Sequence, residues 1–235
     1  MEEEKMSGKL FGIGVGPGDP ELITLKALRL TKEADVIALP GEIPQETVAY
    51  KIMKGAYPEI DEKRLIPVVF PMTKDKEQLE RYHAQGAEVI KKELDAGNNV
   101  VFLTLGDPTV YSTYIYVHKR IQELGYETEI VCGITSFCAV SARFNEGLVE
   151  KAEPLHVIPA SYQIEEALKL PGTKVLMKAG KKMKTVKEQI KALGENGMMI
   201  ENCGMPDEKI YRTVDEIPDD AGYYSLIIVK DKGEE

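Results

Sequence analysis

Strand-like and helix-like stretches alternate along the first half of this chain, and this alternation constrains the fold more than any other feature. Short apolar runs at residues 10–15, 35–39 and 99–105 predict buried strands. Between them, residues 21–32 carry apolar side chains at helical spacing, and residues 74–94 predict a long charged helix. A repeated order of strand and helix implies a mainly parallel sheet that is covered by helices.

Two loops rich in glycine and proline follow two of these predicted strands. The first is Gly-Ile-Gly-Val-Gly-Pro-Gly-Asp-Pro at residues 12–20, and the second is Leu-Gly-Asp-Pro at residues 105–108. Glycine lets the backbone turn sharply and approach a ligand closely, and proline fixes a turn. Because ligands of parallel α/β sheets bind beyond the carboxyl ends of the strands, we expect both loops to border one site.

The first loop does not fit a dinucleotide-binding loop. That fingerprint needs Gly-x-Gly-x-x-Gly, but the third position is Pro17 when counted from Gly12 and Asp19 when counted from Gly14. The chain also lacks a Gly-Lys-Ser/Thr phosphate loop and an acidic residue at the tip of the second strand. Asp19 and Pro20 instead suit the cap and the first position of a helix.

Charge and cysteine content narrow the class of protein further. The net charge is −9, whereas a general nucleic-acid binder would show a basic stripe. Neither a membrane-spanning apolar run nor a signal peptide is visible, so we expect a cytoplasmic protein that binds no membrane. The three cysteines and three histidines match no zinc spacing, so no protein-bound metal is expected.

The second half of the chain predicts a different kind of sheet. Helices are fewer there, and the last three predicted strands, residues 197–201, 209–213 and 223–229, lie close together in sequence. This spacing predicts a mixed sheet with antiparallel members. The expected fold is therefore α/β with two αβα domains, residues 1–111 and 112–235, of which the first has a mainly parallel sheet and the second a mixed one.

An ordered set of segments resembles the tetrapyrrole (corrin/porphyrin) methyltransferases. The segments are residues 15–27, Gly-Asp-Pro at 106–108, Gly-Ile-Thr-Ser at 133–136, residues 200–205 and the closing strand at 225–229. Together they cover nearly the whole chain. Within the family, residues 102–114 most resemble the subgroup that methylates C-20 of precorrin-2 or of its cobalt form, cobalt-factor II.

The resemblance implies a homodimer that binds S-adenosylmethionine in the cleft between the two domains and releases S-adenosylhomocysteine. Carried over residue by residue, the cofactor contacts would be Pro17, Leu105, Gly106, Asp107, Val110, Thr135, Ser136, Met177, Cys203 and Leu226. A carboxylate such as Asp107 suits a ligand that carries an ammonium and a sulfonium. The missing phosphate loop agrees with a cofactor that has no phosphates.

We expect the first loop to border the tetrapyrrole, and basic residues to bind its carboxylates. The expected substrate contacts are Gly14, Gly16, Gly18, Arg143 and Lys178. Methyl transfer is an in-line displacement by the electron-rich C-20 carbon, so the enzyme mainly has to align the two reactants. A proton must then leave that carbon. The candidates to accept it are Asp19, Tyr111 and Tyr114, and the sequence does not choose among them.

Structural roles and other activities compete with these assignments. Asp19 can be only a helix cap, Asp107 can only fix its turn, and the tyrosines can be packing residues. Family members that methylate uroporphyrinogen III, C-11 or C-17 usually carry glycine where this chain has Leu105 or Ser112, which counts against those activities. A protein methylase of the diphthine-synthase type, a nucleotide-dependent oxidoreductase and a non-catalytic binding module are further alternatives.

Overall fold

The computed structural model describes residues 7–71, 73, 75–160 and 164–231, without the side chain of Lys181. Lys74, where the sequence predicts that the third helix starts, lies outside the described residues. The chain divides into two compact units, Met1–Thr135 and Ser136–Glu235.

The first unit is built on a five-stranded sheet. Its strands are β1 (Leu10–Gly14), β2 (Val36–Pro40), β3 (Arg64–Val68), β4 (Val100–Thr104) and β5 (Thr128–Val131). They lie in the order β3-β2-β4-β1-β5, and all neighbours are parallel. The α-helices are α1 (Leu25–Glu33), α2 (Val48–Ala56), α3 (Lys76–Asp95) and α4 (Tyr114–Glu123). The predicted alternation and the parallel sheet are confirmed.

The helices of the first unit cover both faces of its sheet. Helices α1 and α2 pack with Ile13 and Leu103 on one face, whereas α3 and α4 pack with Leu10 and Phe102 on the other. The adjacent strands β1 and β4 therefore send their following helices to opposite faces. Such a change of direction opens a crevice at the carboxyl ends of the two strands, which is where both glycine loops begin.

The helix after the first loop starts later than the sequence predicts. Asp19 accepts a hydrogen bond from the amide of Glu21 at 2.9 Å, but it caps only a single 3₁₀ turn, Pro20–Leu22. The α-helix begins at Leu25, with the hydroxyl of Thr24 as its cap. The prediction was early because aspartate and threonine are both good caps and stand five residues apart.

The second unit contains a mixed five-stranded sheet. Its strands are β6 (Leu155–Pro159), β7 (Thr173–Met177), β8 (Asn196–Glu201), β9 (Lys209–Tyr211) and β10 (Ser225–Lys230), in the order β6-β7-β10-β8-β9. Strands β6 and β7 are parallel, and the other neighbouring pairs are antiparallel. The helices are α5 (Ser136–Phe144), α6 (Glu165–Leu168) and α7 (Met183–Leu193). Helix α5 packs on one face and α6 and α7 on the other, so the predicted mixed sheet is confirmed.

The boundary between the two units lies shortly after β5 in the sequence. This strand pairs with β1, and α4 packs against α3 and β1, so both elements complete the first unit. The boundary predicted at residues 111/112 lies inside that unit. The sequence alone does not reveal that the helix and strand after the second glycine loop return to the first sheet.

A charged side chain lies entirely inside the second unit. Lys174 on β7 is 0% exposed, and its Nζ lies 2.9 Å from Glu195 Oε1 and also contacts Asp231. Burial opposes the charge of Lys174, but the hydrogen bonds with the two carboxylates outweigh it and raise the lysine pKa. Burial likewise opposes the charge of Asp231, yet Lys174 and the amide of Gly172 lower its pKa. The Lys174 ammonium on β7 therefore connects to Glu195, which precedes β8, and to Asp231, which follows β10.

Candidate functional site

The two glycine loops are joined directly beyond the ends of β1 and β4. The amide of Gly106 donates to the carbonyl of Gly16 at 2.8 Å, and the amide of Gly16 donates to the carbonyl of Gly106 at 3.2 Å. Both residues have left-handed backbones, with φ of +69° and +79°, which glycine adopts without strain. The two loops that the sequence assigned to one place therefore meet there.

A third loop, after β5, packs against the other two. The amide of Gly133 donates to Asp107 Oδ2 at 2.9 Å. A Cβ atom on Gly133 would lie 2.1 Å from the carbonyl oxygen of Gly106 and 2.8 Å from the backbone of Gly14. Three glycines at neighbouring strand ends thus let three loops pack backbone against backbone.

Asp107 holds these loops together. Its side chain is buried, its Oδ1 accepts the amide of Thr109 at 2.8 Å and also contacts the Thr109 hydroxyl, and its Oδ2 accepts Gly133. Three of the roughly four acceptor positions of the carboxylate are therefore occupied within the loops. This geometry gives Asp107 the turn-fixing role that the sequence left open, and a contact with the cofactor stays a prediction.

We expect Asp107→Asn to lower the free energy of unfolding by about 2 kcal/mol. The new NH₂ group would face a donor, either Thr109 or Gly133, and leave a buried amide without an acceptor. The Kd for S-adenosylmethionine should rise because the loops loosen. Urea denaturation and calorimetric titration measure the two quantities.

Asp19→Asn is a matched control for stability, because asparagine caps a helix as well as aspartate does. Asp107 would have to be reassigned as a direct partner of the cofactor if its asparagine variant kept wild-type stability and lost only affinity.

The glycines predicted to border the substrate are buried. Gly14, Gly16 and Gly18 all lie inside the first unit. A Cβ on Gly14 would lie 2.4 Å from the carbonyl oxygen of Gly106, so this glycine serves loop packing. Asp19, which follows them, is half-buried and is the accessible acidic residue of the loop. Of the predicted cofactor residues in this unit, Pro17 and Gly106 are buried and Leu105 and Val110 are half-buried.

Tyr114 belongs to the core of the first unit. It is 1% exposed, its ring lies 5.1 Å from that of Phe102, and a Cβ on Gly12 would lie 2.0 Å from it. Its hydroxyl is hydrogen-bonded to His118 Nδ1 at 3.0 Å, and burial raises the pKa of this hydroxyl far above its ordinary value. The structure thus gives Tyr114 a packing role and argues against the prediction that it accepts the substrate's proton.

Thr135 carries the clearest sign of a missing partner. Its Oγ1 is buried and, among the described residues, has no hydrogen-bond partner. Buried hydroxyl groups are normally paired, so a ligand atom fits here. Ser136, the next predicted cofactor residue, is half-buried and begins α5.

Three other predicted cofactor residues share one apolar cluster in the second unit. Met177 ends β7, Leu226 lies opposite it on β10, and Cys203 follows β8. All three pack in the cluster that includes Val140 and Phe144 of α5. Since β10 runs antiparallel to β7 and β8, its start lies at the edge of the sheet where those strands end.

Glu208 connects two segments beside this edge of the second sheet, and the sequence did not indicate it. Its Oε1 lies 2.7 Å from Nε of Arg143 on α5, and its Oε2 accepts the amide of Gly204 at 2.8 Å. It therefore connects α5 to the loop that carries Cys203. No local pattern reveals a pair separated by 65 residues.

Lys178, a predicted substrate contact, follows β7 in a left-handed conformation, with φ of +60°.

The part of the chain that the structure describes contains neither a metal-ligand cluster nor a membrane-spanning helix. Within it, no three His, Cys, Asp or Glu side chains come together as a metal-ligand set, and the expected absence of a bound metal stays a prediction. No helix in that part is both long enough and apolar enough to cross a bilayer.

Comparison with known sequences identifies the family. Residues 9–218 match the family described as Tetrapyrrole (Corrin/Porphyrin) Methylases. The chain is 36% identical to a probable cobalt-precorrin-2 C(20)-methyltransferase of Methanocaldococcus jannaschii, over 96% of this chain and 97% of that protein. It is 32% identical to the cobalt-precorrin-2 C(20)-methyltransferase of Salmonella typhimurium, over 97% and 99%. A precorrin-2 C(20)-methyltransferase of a Sinorhizobium species is 28% identical, over 94% and 95%.

Solved structures share the fold. A cobalt precorrin-4 methyltransferase superposes with a TM-score of 0.72 at 22% identity, over 94% of both chains. The uroporphyrin-III C-methyltransferase of Thermus thermophilus in complex with S-adenosylhomocysteine gives a TM-score of 0.69 at 22% identity, over 95% and 97%. The family match and the curated relatives identify a methyltransferase. The chain belongs to the tetrapyrrole (corrin/porphyrin) methylase family, as its motifs predicted.

Proposed function

We propose that the protein transfers a methyl group from S-adenosylmethionine to C-20 of precorrin-2 carrying cobalt, in cobalamin biosynthesis. The observation that carries this proposal is the near full-length similarity to relatives named for C-20 methylation. The cobalt form is favoured because the two relatives named for cobalt-precorrin-2 are 36% and 32% identical, whereas the relative named for precorrin-2 is 28% identical.

The predicted cofactor residues of each unit have a chemistry that suits S-adenosylmethionine. This cofactor supplies a methyl group on a positively charged sulfur. Met177 and Leu226 offer an apolar surface that suits adenine, and the Thr135 hydroxyl is a buried polar atom that needs a partner. The loop at residues 105–110, which Asp107 holds rigid, would contribute backbone groups to the remaining polar atoms. Rigid loops of this kind favour alignment, which can lower the barrier of a bimolecular step by up to about 10 kcal/mol.

Asp19 is the proton acceptor in this proposal. It is half-buried and lies near the end of the first glycine loop, which follows β1. Tyr114 is unsuitable because its hydroxyl is buried and bonded to His118.

Asp19→Asn is therefore expected to lower kcat by about 100-fold or more while changing stability by less than about 0.5 kcal/mol. Asparagine preserves the cap on the amide of Glu21 but cannot take a proton. Initial rates of methyl transfer and urea denaturation measure both effects. Asp75→Asn is the matched control, because Asp75 caps α3 in the same way, and this variant should keep full activity. Full activity of Asp19→Asn would rule out the catalytic role.

The protein is further proposed to be a cytoplasmic homodimer that binds neither nucleic acid nor membranes. The family resemblance supports the dimer, and the net charge of −9 opposes nucleic-acid binding. Cys132, Cys138 and Cys203 are all free thiols, as is usual in the cytoplasm. Light scattering of the purified protein tests the dimer.

Calorimetry with S-adenosylmethionine, followed by anaerobic incubation with precorrin-2 with and without cobalt, tests the function. We expect cofactor binding and a mass increase of one methyl group, faster with cobalt. Faster reaction of the metal-free form would reverse the choice of substrate, and no methyl gain on either would contradict the proposal.

A further inference from the structure

Tyr111 has a backbone conformation that bulky residues rarely adopt. Its φ is +49°, in the left-handed region, and its side chain is 49% exposed. A bulky residue in this region is an outlier that costs stability. Glycine would remove that cost, yet tyrosine occupies the position.

The conformation is imposed from both sides. Before Tyr111, the amide of Val110 donates to the carbonyl of Asp107 at 3.3 Å and closes the turn. After it, the hydroxyl of Ser112 lies 2.9 Å from that of buried Thr104 and accepts the amide of Tyr114 at 3.3 Å. Tyr111 is the single residue between two anchored turns, so its backbone cannot relax without breaking one of them.

The position of Tyr111 is that of a ligand contact. It follows the second glycine loop, which begins at the crevice where β1 and β4 send their helices to opposite faces, and ligands of such sheets bind at that point. Gly106, Asp107 and Pro108 are buried, whereas Tyr111 presents a large, half-exposed ring. Strained residues concentrate at ligand sites, where the surrounding structure holds them in place.

We propose that the Tyr111 ring is a specificity-determining contact with the flat π-system of the tetrapyrrole, and that its hydroxyl takes no part in proton removal. This inference rests on the proposed function. An aromatic ring offers a large rigid face to a conjugated macrocycle.

The test compares Tyr111→Gly with Tyr111→Phe by melting temperature, by the Kd for S-adenosylmethionine, and by KM and kcat for cobalt-loaded precorrin-2. For Tyr111→Gly we expect an unchanged or higher melting temperature, an unchanged Kd, and a KM for the tetrapyrrole that rises about tenfold. Tyr111→Phe should match the wild type in all of these. Lys151→Gly is the matched control, because Lys151 is exposed with φ of +50° and should show the gain in melting temperature without a kinetic change.

Three results would overturn the inference. A lower melting temperature with an unchanged KM in Tyr111→Gly would make the ring a packing group. An equal loss of activity in Tyr111→Phe would make the hydroxyl the functional atom, and a higher Kd for S-adenosylmethionine would move the contact to the cofactor. The wild type in the same assay separates this inference from the proposed function. If the wild type does not methylate the tetrapyrrole, the proposed function fails. If it does, the variants decide the role of the Tyr111 ring.

Discussion

Gly133→Ala is expected to abolish methyl transfer and to lower the free energy of unfolding by about 3 kcal/mol or more. The new Cβ would lie 2.1 Å from the carbonyl oxygen of Gly106 and 2.8 Å from the backbone of Gly14. Both obstacles are backbone atoms in hydrogen-bonded loops, so neither can move aside as a flexible side chain would. Urea denaturation and an assay of methyl transfer measure the two losses.

Gly147→Ala provides the matched control. The same substitution there leaves the new Cβ 3.7 Å from the carbonyl oxygen of Val149, which is ordinary van der Waals contact. Its stability should stay within about 0.5 kcal/mol of the wild type, with full activity. If Gly133→Ala were as stable and active as this control, the three loops would not be packed as described.

Lys174→Met is expected to lower the free energy of unfolding by about 3–5 kcal/mol. The substitution removes the cation shared by Glu195, which is 15% exposed, and Asp231, and it leaves two neighbouring carboxylates without it. Lys169→Met is the control: Lys169 pairs with Glu166 in solvent, and loss of that pair should cost less than about 1 kcal/mol. Equal effects of the two substitutions would contradict the role of the buried ion pair.

The pH dependence of the Lys174 effect follows from two pKa shifts of opposite sign. The lysine pKa is raised on folding, so its contribution is complete below the unfolded value of 10.5 and is lost as pH rises through the folded value. The Asp231 pKa is lowered, so its contribution is complete above 3.8 and is lost as pH falls through the folded value. The stability difference between wild type and Lys174→Met should therefore be largest near neutral pH and shrink at both extremes. Denaturation at acidic, neutral and alkaline pH measures it, and a constant difference would contradict the account.

The sheets could be predicted because their strands are short apolar runs with clear helical stretches or turns between them. The runs that became β1, β2 and β4 needed no knowledge of tertiary contacts. Placing the boundary of the first unit did require knowledge of tertiary contacts, because only the pairing of β5 with β1 shows where that sheet is complete. Lys174 illustrates the same limit, since a lysine inside an apolar run does not disclose that distant Glu195 and Asp231 will neutralise it.

The candidate site was predictable where glycine and turn chemistry decide the geometry. Gly16 and Gly106 join the two loops that the sequence assigned to one site, whereas the contact of the third loop, at Gly133, was not predicted. The role of Tyr114 could not be decided from the sequence, because a tyrosine after such a loop gives the same signal whether its ring enters the core or the site. Its partner is Gly12, which makes room for the ring, and that pairing appears only in three dimensions. Met177, Cys203 and Leu226 came from family resemblance alone, since nothing in their local sequence indicates a ligand.

The central claim is tested most directly by the position of the transferred carbon. The protein is incubated anaerobically with cobalt-loaded precorrin-2 and S-adenosylmethionine labelled with ¹³C in its methyl group, and the cobalt is removed before the product is examined by ¹³C NMR. The account predicts one labelled methyl group, attached to C-20. A label on any other carbon, or no label on the macrocycle, would contradict it.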